Sequence, residues 1–322
     1  MKAWKIRTKQ LHLVDVPSPQ VSQHQVCIRV EAIGINRADL LQIKGLYPAP
    51  PGVVPDIPGL EYVGVIESAG DGCSRRRPGD RVMGLVAGGA FAEYLVCHED
   101  ETLDVPDGIT VAQAATLPES FTTAYRALVT EAQLKSEEWC LVRPASAAVG
   151  MAAAQLATAM GAQVIGSSRH LSRLEPLLDQ GILNESIEDP FTRDTVHAVT
   201  EGHGLDVVID MVGHPWDELV PAMSRNGRLV LLGLLGGIKA NLPLGDVLMG
   251  QLHIHAMTLR SQPLAERLRL ASHFQRYLIP MFERGQLLPL PHCSYPFLQA
   301  ADALDRLQHS ATPGKHVLLL GH

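Results

Sequence analysis

From Leu141 to Gly150 the chain reads Leu-Val-Arg-Pro-Ala-Ser-Ala-Ala-Val-Gly, a short apolar run passing into helix-forming residues. Where a first strand meets a first helix in this way, backbone N–H groups and the helix N-terminus can hold a pyrophosphate. The usual fingerprint of such a turn has three glycines, and the corresponding positions here are Pro144, Ala147 and Gly150. Only the third glycine remains, the one that lets helix and strand approach closely. The N–H groups of Ser146, Ala147, Ala148 and Val149 are the candidate phosphate ligands, with Gly150 behind them. Alone the motif is weak, because the same text also describes a turn that binds nothing. The next strand-like run ends in Gly166-Ser167-Ser168-Arg169. It offers no carboxylate to a ribose 2′-hydroxyl, whereas Arg169 can pair with a 2′-phosphate, so Ser167, Ser168 and Arg169 favour NADPH over NADH. The plainer reading of Arg169 is a surface charge at a helix start.

Other chemistries are poorly supplied. The five cysteines, Cys27, Cys73, Cys97, Cys140 and Cys293, lie far apart and form no C-x-x-C pair. A disulfide framework or thiolate zinc site is not expected, and a reducing compartment is. His253-Ile254-His255 reads as polar residues on one strand face rather than a metal site. Lys plus Arg is 27 and Asp plus Glu is 34, a net charge of −7, which argues against nucleic-acid binding. The basic run Arg75–Arg77 reads as a solvated turn. No apolar segment follows the N-terminal charges, and no run is long enough to span a membrane, so a cytoplasmic protein is expected.

The elements that must position these residues follow from patterning. The composition, 46% hydrophobic and 19% charged over 322 residues, is globular and suggests two domains. The first third is β-rich, with strands over Val26–Val30, Val63–Ile66 and Val82–Leu85. The Pro-rich stretch Tyr47–Gly52 must be a loop. Thr110 to Thr130 looks helical, interrupted by Pro118. Strand and helix signals then alternate: strands at Trp139–Arg143, Gln163–Gly166, Leu205–Met211, Leu229–Leu232 and His253–Leu259, and helices at Ala147–Met160 and around Leu171–Leu178. That alternation implies a doubly wound parallel sheet. Leu264 to His322 is helix-rich and ends in an apolar strand, Val317–Leu320, which needs a sheet to join. The first domain is the plausible host.

Several segments, in order along nearly the whole chain, resemble the quinone oxidoreductase (zeta-crystallin-like) branch of the medium-chain dehydrogenase/reductase superfamily. They are Asn36-Arg37-Ala38-Asp39, Gly45–Gly52, Pro58-Gly59-Leu60-Glu61, Pro118–Tyr125, Gly233–Gly237, Thr258–Ser261 and Gly314–Leu318. The resemblance implies an α/β protein with a GroES-like β-rich catalytic domain over 1–121, completed by 264–322. A Rossmann dinucleotide-binding domain over 122–263 is inserted between them, with the nicotinamide in a cleft between the domains. It also implies a homodimer joined through the last strand of the sheet, His253–Leu259.

For single residues the resemblance assigns Asn36 to the nicotinamide and substrate, Tyr47 to the acceptor oxygen or ring, and Thr123 to the nicotinamide end. The competing readings are a helix-start Asn, a packed loop Tyr and a Thr bonded to its own helix. Asp39 reads as support for the same helix start. Gly233, Leu234, Leu235 and Gly236 would lie along the carboxamide edge through backbone atoms. Zinc is not expected, since Asn36 and Leu60 stand where zinc-dependent relatives place Cys and His. Without a Lewis acid, hydride transfer to an electron-poor quinone is the natural chemistry, with an enone or enoyl substrate as the alternative. A family tyrosine after the second helix is absent; Glu188 stands nearby and disfavours a 2′-phosphate. Pro144 and Ala147 motivate a further alternative, a non-catalytic binding or regulatory module.

Overall fold

The structure is a computed structural model and describes residues 1–309 and 314–321. The chain divides into two compact units, Met1–Thr122 with Leu259–His322, and Thr123–Thr258.

The first unit opens on an antiparallel hairpin of β1 (Lys2–Arg7) and β2 (Gln10–Asp15). It continues through β3 (Gln25–Ile35), α1 (Arg37–Ile43), β4 (Glu61–Ala69), β5 (Arg81–Leu85), β6 (Tyr94–His98) and β7 (Thr102–Asp104). The helix expected over Thr110–Thr130 is broken into α2 (Val111–Ala114), α3 (Pro118–Tyr125) and a π-helical turn over Arg126–Glu131. Pro118 causes the first break: lacking an N–H, it cannot continue a helix but can begin one.

The second unit contains β8 (Trp139–Arg143), α4 (Ala148–Ala159), β9 (Gln163–Ser168), α5 (Glu175–Asp179), β10 (Glu185–Glu188), α6 (Arg193–Val199), β11 (Leu205–Asp210), β12 (Met223–Leu231), α7 (Leu244–Gly250) and β13 (His253–Ala256). Its sheet has the order β10-β9-β8-β11-β12-β13, and every pair is parallel. Such strands are covered on both faces and read as continuous apolar text. Cys140, Leu141, Val142, Val164, Ile165, Val207, Val208 and Ile209 are all buried. The helix expected around Leu171–Leu178 is reduced to a 3₁₀ turn and the short α5, with Pro176 in the first turn of α5. β10 carries a Glu at each end and sits at the sheet edge, so hydrophobic patterning does not reveal it. β13 stops at Ala256, short of the expected Leu259. Three X–Pro bonds are cis: Arg143–Pro144, Asp189–Pro190 and His214–Pro215.

The chain then returns to the first unit as α8 (Leu264–His273), α9 (Ile279–Glu283), β14 (His292–Pro296), α10 (Ala300–His309) and β15 (Lys315–Leu319). The sheet there has the order β14-β15-β3-β4-β5-β7, with β6 also paired to β3. β15 runs antiparallel to β3, with Val317 opposite Gly34. Val26, Ile28, Val30, Ile33, Phe91 and Leu318 form the centre of its core. Arg75 is paired with Asp100, and Arg76 with Thr102 and Asp104, so the basic run fastens a turn to the segment around β7. Among the described residues, no helix is long and apolar enough to cross a membrane.

Candidate functional site

In the first unit, polar chemistry gathers under the start of α1. Asn36 is the N-cap of that helix; its N–H donates to Asp39 Oδ2 at 2.7 Å, and Asp39 Oδ1 accepts from the Gly59 N–H at 3.0 Å. A capping carboxylate three residues into a helix satisfies otherwise orphaned donors. Here it also ties α1 to the segment leading into β4. Burial pushes the Asp39 carboxyl up to about 7; the two N–H groups oppose this, Glu61 adds to it, and Lys315 opposes it.

Glu61, Asn36 and Lys315 form the buried centre. Lys315 Nζ donates to Asn36 Oδ1 at 2.7 Å and to Ser120 Oγ at 3.2 Å, and sits 2.6 Å from Glu61 Oε1. Asn36 Nδ2 donates to the same Glu61 oxygen at 2.8 Å, and Glu61 Oε2 accepts the Glu119 N–H at 2.9 Å. All three ammonium protons are therefore placed. Burial works against the Lys315 charge, but Glu61 and Glu119 hold its ammonium above the usual lysine range. Gly34 makes room for this: a Cβ there would overlap the Glu61 carboxylate and the Ala115 carbonyl. The Asn36 amide, expected to face nicotinamide or substrate, is engaged at both ends within the unit. One Oδ1 lone pair remains to offer outward.

Tyr47 is fixed by a different residue. Arg260 is buried, donates to the Tyr47 carbonyl at 2.9 Å, the Ala87 carbonyl at 2.7 Å and Gln42 Oε1 at 2.7 Å, and lies 5.4 Å from the centre of the Tyr47 ring. Gln42 in turn donates to the Pro55 carbonyl at 3.1 Å, closing the loop from Tyr47 to Gly59 against α1. Burial raises the Tyr47 phenol, Arg260 lowers it and Glu119 raises it, with a net rise above the ordinary value. Beside this loop lies a cleft of about 360 Å³, walled by Pro50 and Val53 on one side and Gln262, Leu264 and Arg267 on the other. Asn36 and Tyr47 are not bonded to one another. They are linked through α1, which begins at Asn36 and carries Gln42.

In the second unit, the expected nucleotide residues share the carboxyl edge of the parallel sheet. Ser146, Ala147, Ala148 and Val149 are partly exposed at the start of α4, whose N-cap Ala147 makes no side-chain cap bond. Ala147 has φ −78° and ψ 156°, extended backbone that any residue adopts, so losing glycine there strains nothing. Gly150 is needed, because a Cβ would overlap the Pro144 carbonyl. Ser167 and Ser168 are buried at the end of β9, and Ser168 Oγ accepts the His170 N–H at 3.1 Å. Arg169 is exposed and, among the described residues, has no hydrogen bond or ion pair. Glu188 on β10 is exposed and paired in register with Ser168. Gly233, Leu234, Leu235 and Gly236 follow β12; the Leu235 and Gly236 N–H groups bond the Met211 and Val212 carbonyls at 3.2 and 2.8 Å. Thr123 is buried in α3, at the first position of this unit. Uncapped N–H groups at a helix N-terminus, with an unpaired guanidinium at the next strand end, form a donor set that fits a phosphorylated dinucleotide.

The site holds residues that sequence reading did not assign a role. Glu61, Lys315 and Arg260 each lie inside a recognised motif, but nothing in one dimension shows that Lys315 reaches Asn36 or that Arg260 reaches Tyr47. Among the described residues, no group of three or more His, Cys, Asp or Glu side chains is placed to hold a metal ion.

Residues 22–107 match the family described as alcohol dehydrogenase GroES-like domain, and residues 148–273 match zinc-binding dehydrogenase. The chain belongs to the medium-chain dehydrogenase/reductase superfamily, as an oxidoreductase with a GroES-like domain and a Rossmann domain. It is 30% identical over 315 residues to a quinone oxidoreductase of Homo sapiens, covering 95% of this chain and 92% of that protein. The quinone oxidoreductase of Thermus thermophilus, whose structure was also determined with NADPH, is 32% identical with a TM-score of 0.84 over 99% of this chain and 100% of that one. The quinone oxidoreductase of Pseudomonas syringae pv. Tomato DC3000 superimposes with a TM-score of 0.88 at 28% identity, covering 99% of each chain.

Proposed function

We propose that this protein is a zinc-independent, NADPH-dependent reductase that passes hydride to a quinone, with unit Thr123–Thr258 as its cofactor domain and the other unit as its catalytic domain. The observation that carries the cofactor choice is the end of β9, where Ser167, Ser168 and the unpaired Arg169 stand in place of a carboxylate. Bound NADPH supplies the hydride. The protein's own part is to bind, orient and donate hydrogen bonds. The N–H groups of Ala148 and Val149 would hold the pyrophosphate, and Arg169 the 2′-phosphate.

The raised Tyr47 phenol stays protonated at neutral pH and donates to the acceptor oxygen as negative charge develops there. Arg260 holds the loop so that this donor is placed before the acceptor arrives. Asn36 acts from its remaining lone pair and is itself held by Lys315 and Glu61. Zinc independence is supported by the same cluster: the Lys315 ammonium already meets the charge of Glu61, and a second cation there would be repelled. The quinone oxidoreductases among the relatives support the acceptor class.

The protein is proposed to work as a homodimer. Among the described residues β13 is the last strand of its sheet and pairs on one side only, and in the stretch between β12 and β13 Ile238, Leu248 and Met249 are 82%, 76% and 75% exposed. A single-chain mass by light scattering at micromolar concentration would sink that proposal.

The deciding test is titration with NADPH and NADH, followed by tryptophan fluorescence, and then turnover on a panel of quinones and enones. NADPH should bind at least tenfold more tightly than NADH, and Arg169→Ala should abolish the difference. Failure of either nucleotide to bind at millimolar concentration would refute the reductase reading. Turnover of enones alone would replace the acceptor class.

A further inference from the structure

The end of β8 carries a charged side chain where the rest of the strand is apolar. Arg143 is 2% exposed. Its guanidinium forms a two-pronged bond to Asp189, Nε to Oδ2 at 2.8 Å and Nη2 to Oδ1 at 3.0 Å. Nη2 also donates to the His214 carbonyl at 3.2 Å and Nη1 to the Pro215 carbonyl at 3.3 Å, and Nη1 lies 3.8 Å from Asp210. The ring of Phe191 lies 5.7 Å from the guanidinium carbon. Asp210 is itself bonded to the N–H groups of Val212 and Gly213 and to the Trp216 indole. No part of the proposed chemistry uses Arg143.

Its location gives it a use. In the sheet order, strands added after β8 lie on one side as β9 and β10, and later ones lie on the other as β11 to β13. β8 and β11 therefore flank the topological switch point, where open α/β sheets bind ligands beyond their carboxyl ends. Arg143 and Asp210 are partners in register at that point. A dinucleotide with its pyrophosphate on the turn after β8 and its ribose at the end of β9 would place its adenosine half on the β9–β10 side of the sheet. The segment following β10 begins at Asp189, whose N–H bonds the Ser168 carbonyl at 3.0 Å. β9 separates β8 from β10, so the Arg143 arm must pass the end of β9 to reach Asp189. The registers put Arg143, Ser167 and Ile187 on one face, and the small Ser167 leaves room for the arm.

We propose that Arg143 and Asp189 are positioning residues for the adenosine half of the dinucleotide, clamping the segments after β8, β10 and β11 at a fixed spacing. This rests on the dinucleotide reading above. The clamp does not bind phosphate, because Asp189 and the two carbonyls take four of its five N–H donors and Asp210 lies 3.8 Å from Nη1, which carries the fifth. It fixes the backbone that does. Two-pronged guanidinium–carboxylate pairs suit this role because they fix orientation as well as distance.

The test uses the full chain and calorimetric titration with three probes: NADPH, 2′-phospho-ADP-ribose and reduced nicotinamide mononucleotide. The variants are Arg143→Lys, which keeps the charge and loses the fork, and Arg143→Met combined with Asp189→Asn, which strands no charge at Asp189 and leaves Asp210 to the Val212 and Gly213 N–H groups and the Trp216 indole. Both are first checked for a cooperative melt. Binding of NADPH and 2′-phospho-ADP-ribose should weaken at least tenfold in both variants, with the mononucleotide unchanged within twofold. Unchanged 2′-phospho-ADP-ribose binding by the folded double variant would overturn the inference. Equal weakening of all three probes would also overturn it, by assigning the pair a merely structural role. If the unaltered protein bound none of the three, the dinucleotide reading itself would fall, and the clamp with it.

Discussion

Replacing Lys315 with methionine should unbalance the centre of the first unit. The ammonium lies 2.6 Å from Glu61 Oε1, and Lys315 and Glu61 are 3% and 0% exposed. Without it, the Glu61 carboxylate keeps only the Asn36 amide and the Glu119 N–H in a site closed to solvent. Removing one partner of a buried ion pair typically costs about 3–5 kcal/mol. For a unit of this size, each kcal/mol moves the midpoint by about 2–4 °C, so a fall of roughly 6–20 °C is expected. Glu61→Gln together with Lys315→Met removes the stranded charge as well and should recover most of the loss, with a coupling of about 2 kcal/mol or more. The assay is thermal and urea unfolding by circular dichroism. Trp4 fluorescence reports this unit, since the Trp4 indole bonds the Phe297 carbonyl in its core. A single variant weakened by less than about 1 kcal/mol, or a double variant no more stable than the single, would refute the idea that Lys315 neutralises Glu61.

Three further outcomes are expected. Arg260→Lys keeps a charge but cannot reach Ala87, Tyr47 and Gln42 together, so quinone KM should rise about tenfold or more while NADPH affinity stays unchanged; a variant with wild-type KM would separate Arg260 from Tyr47. Asp39 is raised to about 7 in the fold, so it contributes stability at low pH that is lost as pH rises from about 4 through 7. Urea midpoints between pH 5 and 8 should therefore fall more steeply with pH in the wild type than in Asp39→Asn, and equal slopes would count against the raised carboxyl. Glu188→Gln, one strand from Ser168 and Arg169, should tighten NADPH by roughly three- to tenfold, leave NADH unchanged and matter less in high salt; equal effects on the two nucleotides would dissociate Glu188 from the 2′-phosphate.

The fold was legible where local text and three-dimensional role coincide. Trp139–Arg143 and Leu205–Met211 read as strands because each holds a short apolar run, Cys140–Val142 and Val207–Ile209, too short for a helix. Ala147–Met160 reads as a helix because its small apolar residues recur at helical spacing, and the helix found is Ala148–Ala159. β10 was not legible because an edge strand with a Glu at each end carries no apolar signature; in the Ala-rich stretch Pro118 marks the first break, but nothing in the residue types marks the π-helical turn over Arg126–Glu131. The candidate site was half legible. Arg169 and the turn after β8 are neighbours by topology, which the strand–helix alternation fixes in advance. The partners of Asn36 were invisible, since Lys315 arrives from the opposite end of the chain. Arg143 looked like one more residue of a strand; only the register across β9 to Asp189 shows that a strand-end guanidinium has a carboxylate waiting for it.

The return of the chain to its first unit has a consequence during synthesis. All strands of the parallel sheet have been made by Ala256, so the inserted unit has its full complement while the ribosome is still translating α8 to β15. The flanking unit must wait for Lys315, with Glu61 uncompensated and one edge of β3 unpaired against β15 until it arrives. At about 5–20 residues per second, the wait lasts roughly several seconds. A product cut short before β15 would carry a finished nucleotide fold beside a domain that cannot close, and such a chain is a natural substrate for chaperones and proteases.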